Sequence, residues 1–318
     1  MAVMKYSIIV PIYKNEDSIQ ALLETLIDIN KMLASTLEVV FVIDGSPDQC
    51  CALLRSALND LPFAAQLIAH SRNFGSFPAI RTGLMAAQGD YYAIMAADLQ
   101  EPPELLLNFF RSLESDECDV AIGTRSSRED PFLSRLSSTI FWSLYQKFIV
   151  SDMPKGGVDI FGCNRLFREQ LLQLEESRSS LIALIFWLGF RRKLFAYDRQ
   201  PRITGKSAWT FHKKLEYMMD NIFAFTDYPI KLLTRVGALG TILSALSGIV
   251  ILIMRLSGRI EVPGYTAIII TVLMLGALNL FGLGLVGTYA WRGYENSKRR
   301  PLTVVAAQYS NQKSEDNK

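Results

Sequence analysis

The side chains best suited to chemistry in this chain stand just beyond apolar runs. Tyr13 and Asn15 follow YSIIVPI, Asp44 follows LEVVFVI, and Asp98 with Gln100 follows YYAIMAA. Arg125, in GTR, and Asp159, in GGVDIFG, come later. Asp98 and Gln100, two apart on a loop, can face one hard cation, because Mg2+ and Mn2+ prefer carboxylate and carbonyl oxygens together with phosphate. Such a cation, or an Arg or Lys, offsets negative charge that develops in a transition state. Each acid also has an ordinary use: Asp44 before Gly45 suits an Asx turn, and Asp98 suits a loop or helix cap. The only histidines, His70 and His212, lie in no carboxylate cluster of the sequence, so a histidine base is not expected.

Strands and helices alternate around these residues. Tyr6–Tyr13, Leu37–Asp44, Ala64–Ser71, Tyr91–Asp98 and Asp119–Arg125 read as strands. Ser18–Leu33, Gln49–Asn59, Phe77–Gln88 and Glu104–Ser115 read as helices, the first capped by Asn15 or Ser18. This order implies an α/β fold, a mostly parallel sheet with helices on both faces. Ligands of such sheets bind beyond the carboxyl ends of the strands, which is where the polar residues converge.

Two uncharged apolar runs follow, Val236–Met254 and Tyr265–Ala290. Each supplies the roughly 20 residues needed to span a bilayer core, and the short connector RLSGRIEVPG makes them a hairpin. Lys231, Arg235, Arg292, Lys298, Arg299 and Arg300 flank the hairpin, whereas the connector holds only Arg255 and Arg259. The positive-inside bias then places the large domain and both termini in the cytoplasm of a multi-pass inner-membrane protein. Two buried core helices are the weaker alternative, since core helices seldom run this long without charge. Gly237, Gly240, Gly248, Gly276, Gly282, Gly284 and Gly287 admit close packing on a partner, a second copy of the chain included.

The expected organisation is a catalytic domain over 1–210, amphipathic juxtamembrane helices over 211–234, two transmembrane helices over 235–292 and a polar tail over 293–318, disordered after Pro301. Ser134–Val150 has the spacing of an interfacial helix and equally that of a core helix. With 50% hydrophobic residues and a net charge of +2, the composition fits a soluble domain plus a hairpin and speaks against a nucleic-acid binder. Cys50, Cys51, Cys118 and Cys163 lack metal-type spacing and read as reduced packing thiols. Met1–Tyr6 opens directly into a strand pattern, so no signal peptide is expected.

VPIYKNEDSI, VIDGSPD, SRNFGSFPAIRTGLMAAQGD, AADLQEPPEL and GKSAW, in that order, resemble family 2 glycosyltransferases of the GT-A fold. Together with the hairpin they are most similar to the polyprenyl-phosphate glycosyltransferases, which include dolichol-phosphate mannosyltransferases and bactoprenol glucosyltransferases. The resemblance implies inverting transfer of a sugar from a nucleotide diphosphate sugar to a polyprenyl (undecaprenyl) phosphate, for cell-envelope glycan synthesis or modification. It implies a donor pocket of Pro11, Tyr13, Asn15, Asp44, Arg72, Ala97 and Asp98, and Mg2+ or Mn2+ on Asp98 and Gln100. Asp159 becomes the candidate catalytic carboxylate beside Asp98. Arg125, Arg135 and Ser138 fall where the family binds lipid phosphate, and an Arg fork suits phosphate better than a Lys point charge. Arg202, Lys206 and Ser207 match a flexible acceptor loop hinged at Gly205.

The chain departs from the family twice, with Ile43 and Ala96 where the family usually has Asp. One carboxylate is thereby left at the cation motif, which puts the metal's affinity or ligand set in question. Several alternatives stay open. Arg72 and Asn73 contact the donor or brace the loops, and 202–207 is an acceptor loop or a basic stretch attracted to anionic lipid. The whole protein is a polyprenyl-phosphate glycosyltransferase, a related enzyme with another lipid-linked or glycan acceptor, or a membrane scaffold with a decayed site.

Overall fold

The computed structural model describes residues 5–34, 36–125, 154, 158–176, 180–200, 219–226, 228–257 and 264–311. They divide into two compact units, one formed by Met1–Leu215 with Pro301–Lys318, the other by Glu216–Arg300.

The first unit is built on an eight-stranded sheet: β1 Tyr6–Ile12, β2 Leu37–Ile43, β3 Ala64–His70, β4 Tyr91–Ile94, β5 Val120–Arg125, β6 Ile160–Asn164, β7 Arg192–Tyr197 and β8 Val305–Ser310. Its order is β7-β5-β6-β4-β1-β2-β3-β8. β4, β1, β2 and β3 are parallel neighbours, as the alternation of strand and helix predicts. Beyond them the sheet changes character. β6 runs antiparallel to both β4 and β5, so Asp119–Arg125 keeps the direction of the parallel series, and pairs parallel with β7, but is separated from that series by one reversed strand.

Side chains alternate across a strand, and β1 shows what each face does. Ile8, Val10 and Ile12 join one buried cluster with α1 (Ile19–Met32), α2 (Cys50–Ala57) and α4 (Pro103–Glu114). Ile9 faces the other way, toward α3 (Ser76–Ala86). There Gly83 permits contact: a Cβ on it would meet Ile9 Cγ2 at 2.3 Å and Val42 Cγ2 at 3.2 Å. Arg81 of α3 donates to the Leu171 and Leu172 carbonyls at the end of α5 (Arg165–Leu172), which covers the same face. A short helix, α6 (Leu181–Trp187), follows. Helices thus lie on both faces.

Two local expectations are corrected. Ser18 occupies the cap position of α1, but its hydroxyl donates to the Asn15 and Ala97 carbonyls, and neither Ser18 nor Asn15 caps by side chain. Within the described residues the tail is ordered beyond Pro301. Its residues 305–310 form β8, antiparallel to β3, with Asn311 bonded to Ala65, Leu58 and Phe63.

The second unit holds two long helices, α7 (Tyr228–Leu256) and α8 (Tyr265–Ser297), preceded by a helical segment over 219–225. A Cβ on Gly282 would lie 3.5 Å from the Leu233 side chain, so the two helices approach closely there. Arg292 donates to Asp220 at 2.5 Å, and Tyr289 to the Thr226 carbonyl at 3.3 Å. Among the described residues one helical stretch, Met274–Ser297, is long and apolar enough to cross a membrane. Its exposed side chains include Leu280, Phe281 and Leu283.

Candidate active site

Each strand of the parallel half ends in a loop, and the loops are tied to one another. Asp44 N–H bonds Ile12 O at 2.9 Å, and Lys14 N–H bonds Ser46 Oγ at 2.7 Å. Two further bonds cross the same gap, Glu16 N–H to the Asp48 carboxylate at 3.3 Å and Gln49 N–H to the Glu16 carboxylate at 2.9 Å. Ser18 Oγ reaches Ala97 O at 2.9 Å and brings the third loop in. Pro11 lies in β1 opposite Val42, Tyr13 is exposed, Asn15 accepts the Tyr13 N–H, and Ala97 is buried.

Asp44 is the keystone of this edge. It is buried, and its Oδ1 accepts from Phe74 N–H at 2.9 Å while Oδ2 accepts from Gly75 N–H at 2.7 Å. His70 Nδ1 lies 2.9 Å from Oδ1. His70, expected to stand apart from carboxylates, therefore pairs with one. The cause is register: Ile43 and Ala69 are partners on β2 and β3, so the residues that follow them end side by side. Gly45 has φ +59, and a Cβ there would fall 2.2 Å from the Arg72 carbonyl carbon, so only glycine lets the two loops meet. Arg72 is exposed, donates to Asn73 O at 3.1 Å and lies over the Phe74 ring at 4.1 Å.

A second group forms around Asp159. Arg125 grips it with two parallel bonds, Nε to Oδ2 at 2.6 Å and Nη2 to Oδ1 at 2.7 Å, and the Tyr197 hydroxyl donates to Oδ2 at 2.9 Å. Burial and the Asp159 charge raise the Tyr197 hydroxyl's pKa well above its ordinary value, so it serves as a donor. With three donors on it, Asp159 is a charge-compensated anchor before it is a base. The guanidinium edge of Arg125 that would grasp a phosphate is engaged in the same pair.

The loop after β4 joins the two groups. Leu99 adopts φ 55 as the strand ends at Ile94, earlier than the apolar pattern suggests, and the chain turns to present Asp98. Gln100 is buried; its Oε1 accepts from Arg199 and its Nε2 donates to Gln200 O at 3.2 Å. Glu101, which sequence reasoning passed over, is 4% exposed, and among the described residues its Oε2 finds no hydrogen-bond partner. Burial, reinforced by the charge of Asp98, pushes its carboxyl up to about 7, with Arg199 opposing and Asp159 adding. Its setting in QEPPEL, directly after Gln100, was the available signal.

Among the described residues no group of three His, Cys, Asp or Glu is placed to hold a metal. Asp98 still fits a cation of the Mg2+ type, which takes one or two carboxylates and completes its shell with substrate phosphate and water. Gln100 does not fit while Arg199 occupies its oxygen. Arg135, Ser138, Arg202, Lys206 and Ser207, and most of the region 126–157, lie outside the described residues.

Comparison with known proteins agrees with the resemblance seen in the motifs. The family described as glycosyl transferase family 2 matches residues 7–174, more than half of the chain. Over 303 residues the chain is 27% identical to the bactoprenol glucosyl transferase of Shigella phage SfV, covering 95% of this chain and 98% of that one. It is 29% identical over 304 residues to the uncharacterized glycosyltransferase sll0501 of Synechocystis sp., covering 95% of each. Among solved structures it is similar to the mannosyltransferase PcManGT from Pyrobaculum calidifontis in complex with GDP-Man and Mn2+, at 16% identity and a TM-score of 0.44, covering 91% of this chain and 84% of that one.

Proposed function

Because the chain belongs to glycosyltransferase family 2, we propose that it transfers a sugar from a nucleotide diphosphate sugar to a polyprenyl phosphate, with inversion, at the cytoplasmic face of a membrane. The observation that carries this reading is the junction at Asp98. One loop carries that carboxylate and Glu101, and Glu101 feels the charges of both Asp98 and the Asp159 that Arg125 and Tyr197 hold. A donor diphosphate needs charge beside it, and a second anion must approach the sugar from the other side.

In this reading the loops around Asp44 hold the nucleotide, with Pro11, Tyr13, Asn15, Arg72 and Ala97 around it. A divalent cation on Asp98, Mg2+ or Mn2+, supplies charge to the departing diphosphate. A phosphate oxygen of the acceptor bonds to the anomeric carbon as the bond from that carbon to the diphosphate breaks, and the nucleoside diphosphate leaves with the electron pair. A phosphomonoester has its second pKa near about 6 and needs little deprotonation. Asp159, held by Arg125 and Tyr197, therefore orients acceptor or sugar more than it removes a proton. Arg135, Ser138, Arg202, Lys206 and Ser207 are assigned to the acceptor by resemblance alone.

The lipid acceptor draws support from similarity to bactoprenol glucosyl transferases along nearly the whole chain. It also fits α7 and α8, read as a two-span hairpin whose flanking Lys and Arg favour cytoplasmic ends. A Cβ on Gly240, Gly276, Gly284 or Gly287 would meet nothing within 4 Å, which leaves room for a second copy of the chain. The test is to incubate the purified full chain with radiolabelled nucleotide sugars, Mg2+ or Mn2+, and undecaprenyl phosphate. Chloroform-soluble label is expected, and Asp98→Ala should abolish it. Label only on another glycan or lipid-linked acceptor would favour the alternative reading, and no turnover with any donor would overturn both.

A further inference from the structure

The segment that follows α8 returns to the sheet, and it does more than cap an edge. Just before β8, Thr303 Oγ1 lies 2.9 Å from Thr82 Oγ1 of α3. Thr82 Oγ1 lies 3.0 Å from His70 Nε2, and His70 Nδ1 lies 2.9 Å from Asp44 Oδ1. Asp44 in turn holds the Phe74 and Gly75 amides. Ser71 N–H bonds Val304 O at 2.9 Å and pins the same corner by backbone. Thr82, His70 and Asp44 are all buried, so water does not supply substitutes freely.

The direction of this chain of bonds follows from what each group can do. A carboxylate only accepts, so His70 carries its proton on Nδ1 and donates to Asp44. A ring with one proton then accepts at Nε2, so Thr82 donates to it and is left to accept from Thr303. With a doubly protonated ring the two threonine bonds run the other way, and in either direction the outer end of the chain is Thr303.

We propose that Thr303 is a positioning residue for the donor-binding loop. Its hydroxyl fixes the Thr82 rotor, Thr82 fixes the His70 ring, and the ring fixes the Asp44 carboxylate that shapes Phe74 and Gly75. A residue far along the sequence, beyond both long helices, thus tunes how the enzyme holds a nucleoside diphosphate. The inference rests on the reading of the Asp44 edge as the nucleotide side of the site.

Thr303→Val keeps the side-chain shape and removes the hydroxyl, and Thr303→Ser restores it. In the full-length protein in detergent, Thr303→Val should raise the KM for the nucleotide sugar about 3- to 10-fold, the worth of one hydrogen bond. It should weaken nucleoside diphosphate binding by calorimetry in the same proportion, and Thr303→Ser should recover both. The KM for polyprenyl phosphate should stay within about 2-fold, a split that a general loss of structure does not produce. The chain has only 2 histidines, so a histidine-labelled nitrogen spectrum resolves the His70 ring. Its Nε2 signal should move in Thr303→Val and return in Thr303→Ser. An unmoved signal, or an unchanged donor KM in a wild-type background that binds nucleotide, overturns the proposal alone. Wild-type protein that binds no nucleoside diphosphate overturns the donor reading and the proposal together.

Discussion

Asp44 and Asp159 belong to the same catalytic unit and are saturated in opposite ways. Asp44 spends its oxygens on two backbone amides and a histidine, so its charge builds a loop. Asp159 spends its oxygens on the Arg125 fork and the Tyr197 hydroxyl, all of them side chains that can rotate away. Amides fixed by a fold make a permanent brace; side-chain donors make a partnership that a substrate anion can enter. The parallel half of the sheet therefore holds its geometry in advance. The half beyond β4 holds a neutralised pair of side chains, the partner that the proposed function gives to an incoming phosphate.

Replacing Asp159 by Asn should sharpen the contrast most. It leaves Arg125 without its counter-charge and removes the orienting carboxylate, and kcat should fall by about 100-fold, the scale of a misplaced reacting group. Steady-state kinetics at saturating substrates measure this, and a fall below ten-fold would place Asp159 with Asp44 among the purely structural acids. Asp44→Asn should act on the other side of the comparison. Weakening its charge-assisted bonds to Phe74 and Gly75 should cost about 1–3 kcal/mol of stability. Donor KM should rise while kcat holds, checked by denaturant melts and donor titration. Gly45→Ala should push the same way, because the added Cβ meets Arg72 backbone at 2.2 Å. A variant with unchanged stability and donor KM would break the idea that the two loops must touch.

The smallest expected effect is a slope with pH. Glu101 has its carboxyl raised from 4.5 to about 7 by burial, so the folded protein holds that proton more tightly than the unfolded chain does. Stability from this group is present below about 4.5 and is lost as pH rises toward 7. Glu101→Gln removes the loss. In thermal melts with EDTA present, the Gln variant should gain on wild type between pH 5 and pH 7.5, and parallel melting curves would refute the assignment.

Much of the donor half was legible because its signals are local. Apolar strands followed by polar residues at Tyr13, Asp44 and Asp98 located the loop edge, and α1 to α4 fell within a few residues of their expected bounds. What escaped was whatever depends on distant pairing. The reversed setting of β6 between β4 and β5 follows from its partners, which its own composition does not announce. The segment VAAQYS has no strong alternation and becomes a strand because β3 offers it an edge. The pairing of His70 with Asp44 was within reach, since adjacent parallel strands ending at Ile43 and Ala69 must present their next residues together. Arg125 was read as a phosphate ligand from the resemblance, and the structure shows its first partner to be a carboxylate 34 positions later.

Strand β8 also sets an order of events in time. A ribosome makes the donor loops first and the two apolar helices next, and Val305–Ser310 emerges only after both. Until then β3 waits with an unpaired edge, the kind of surface that recruits other chains. Translation thus delivers the apolar hairpin before the sheet is complete, and closure by the last strand ends the newborn protein's exposure to its neighbours.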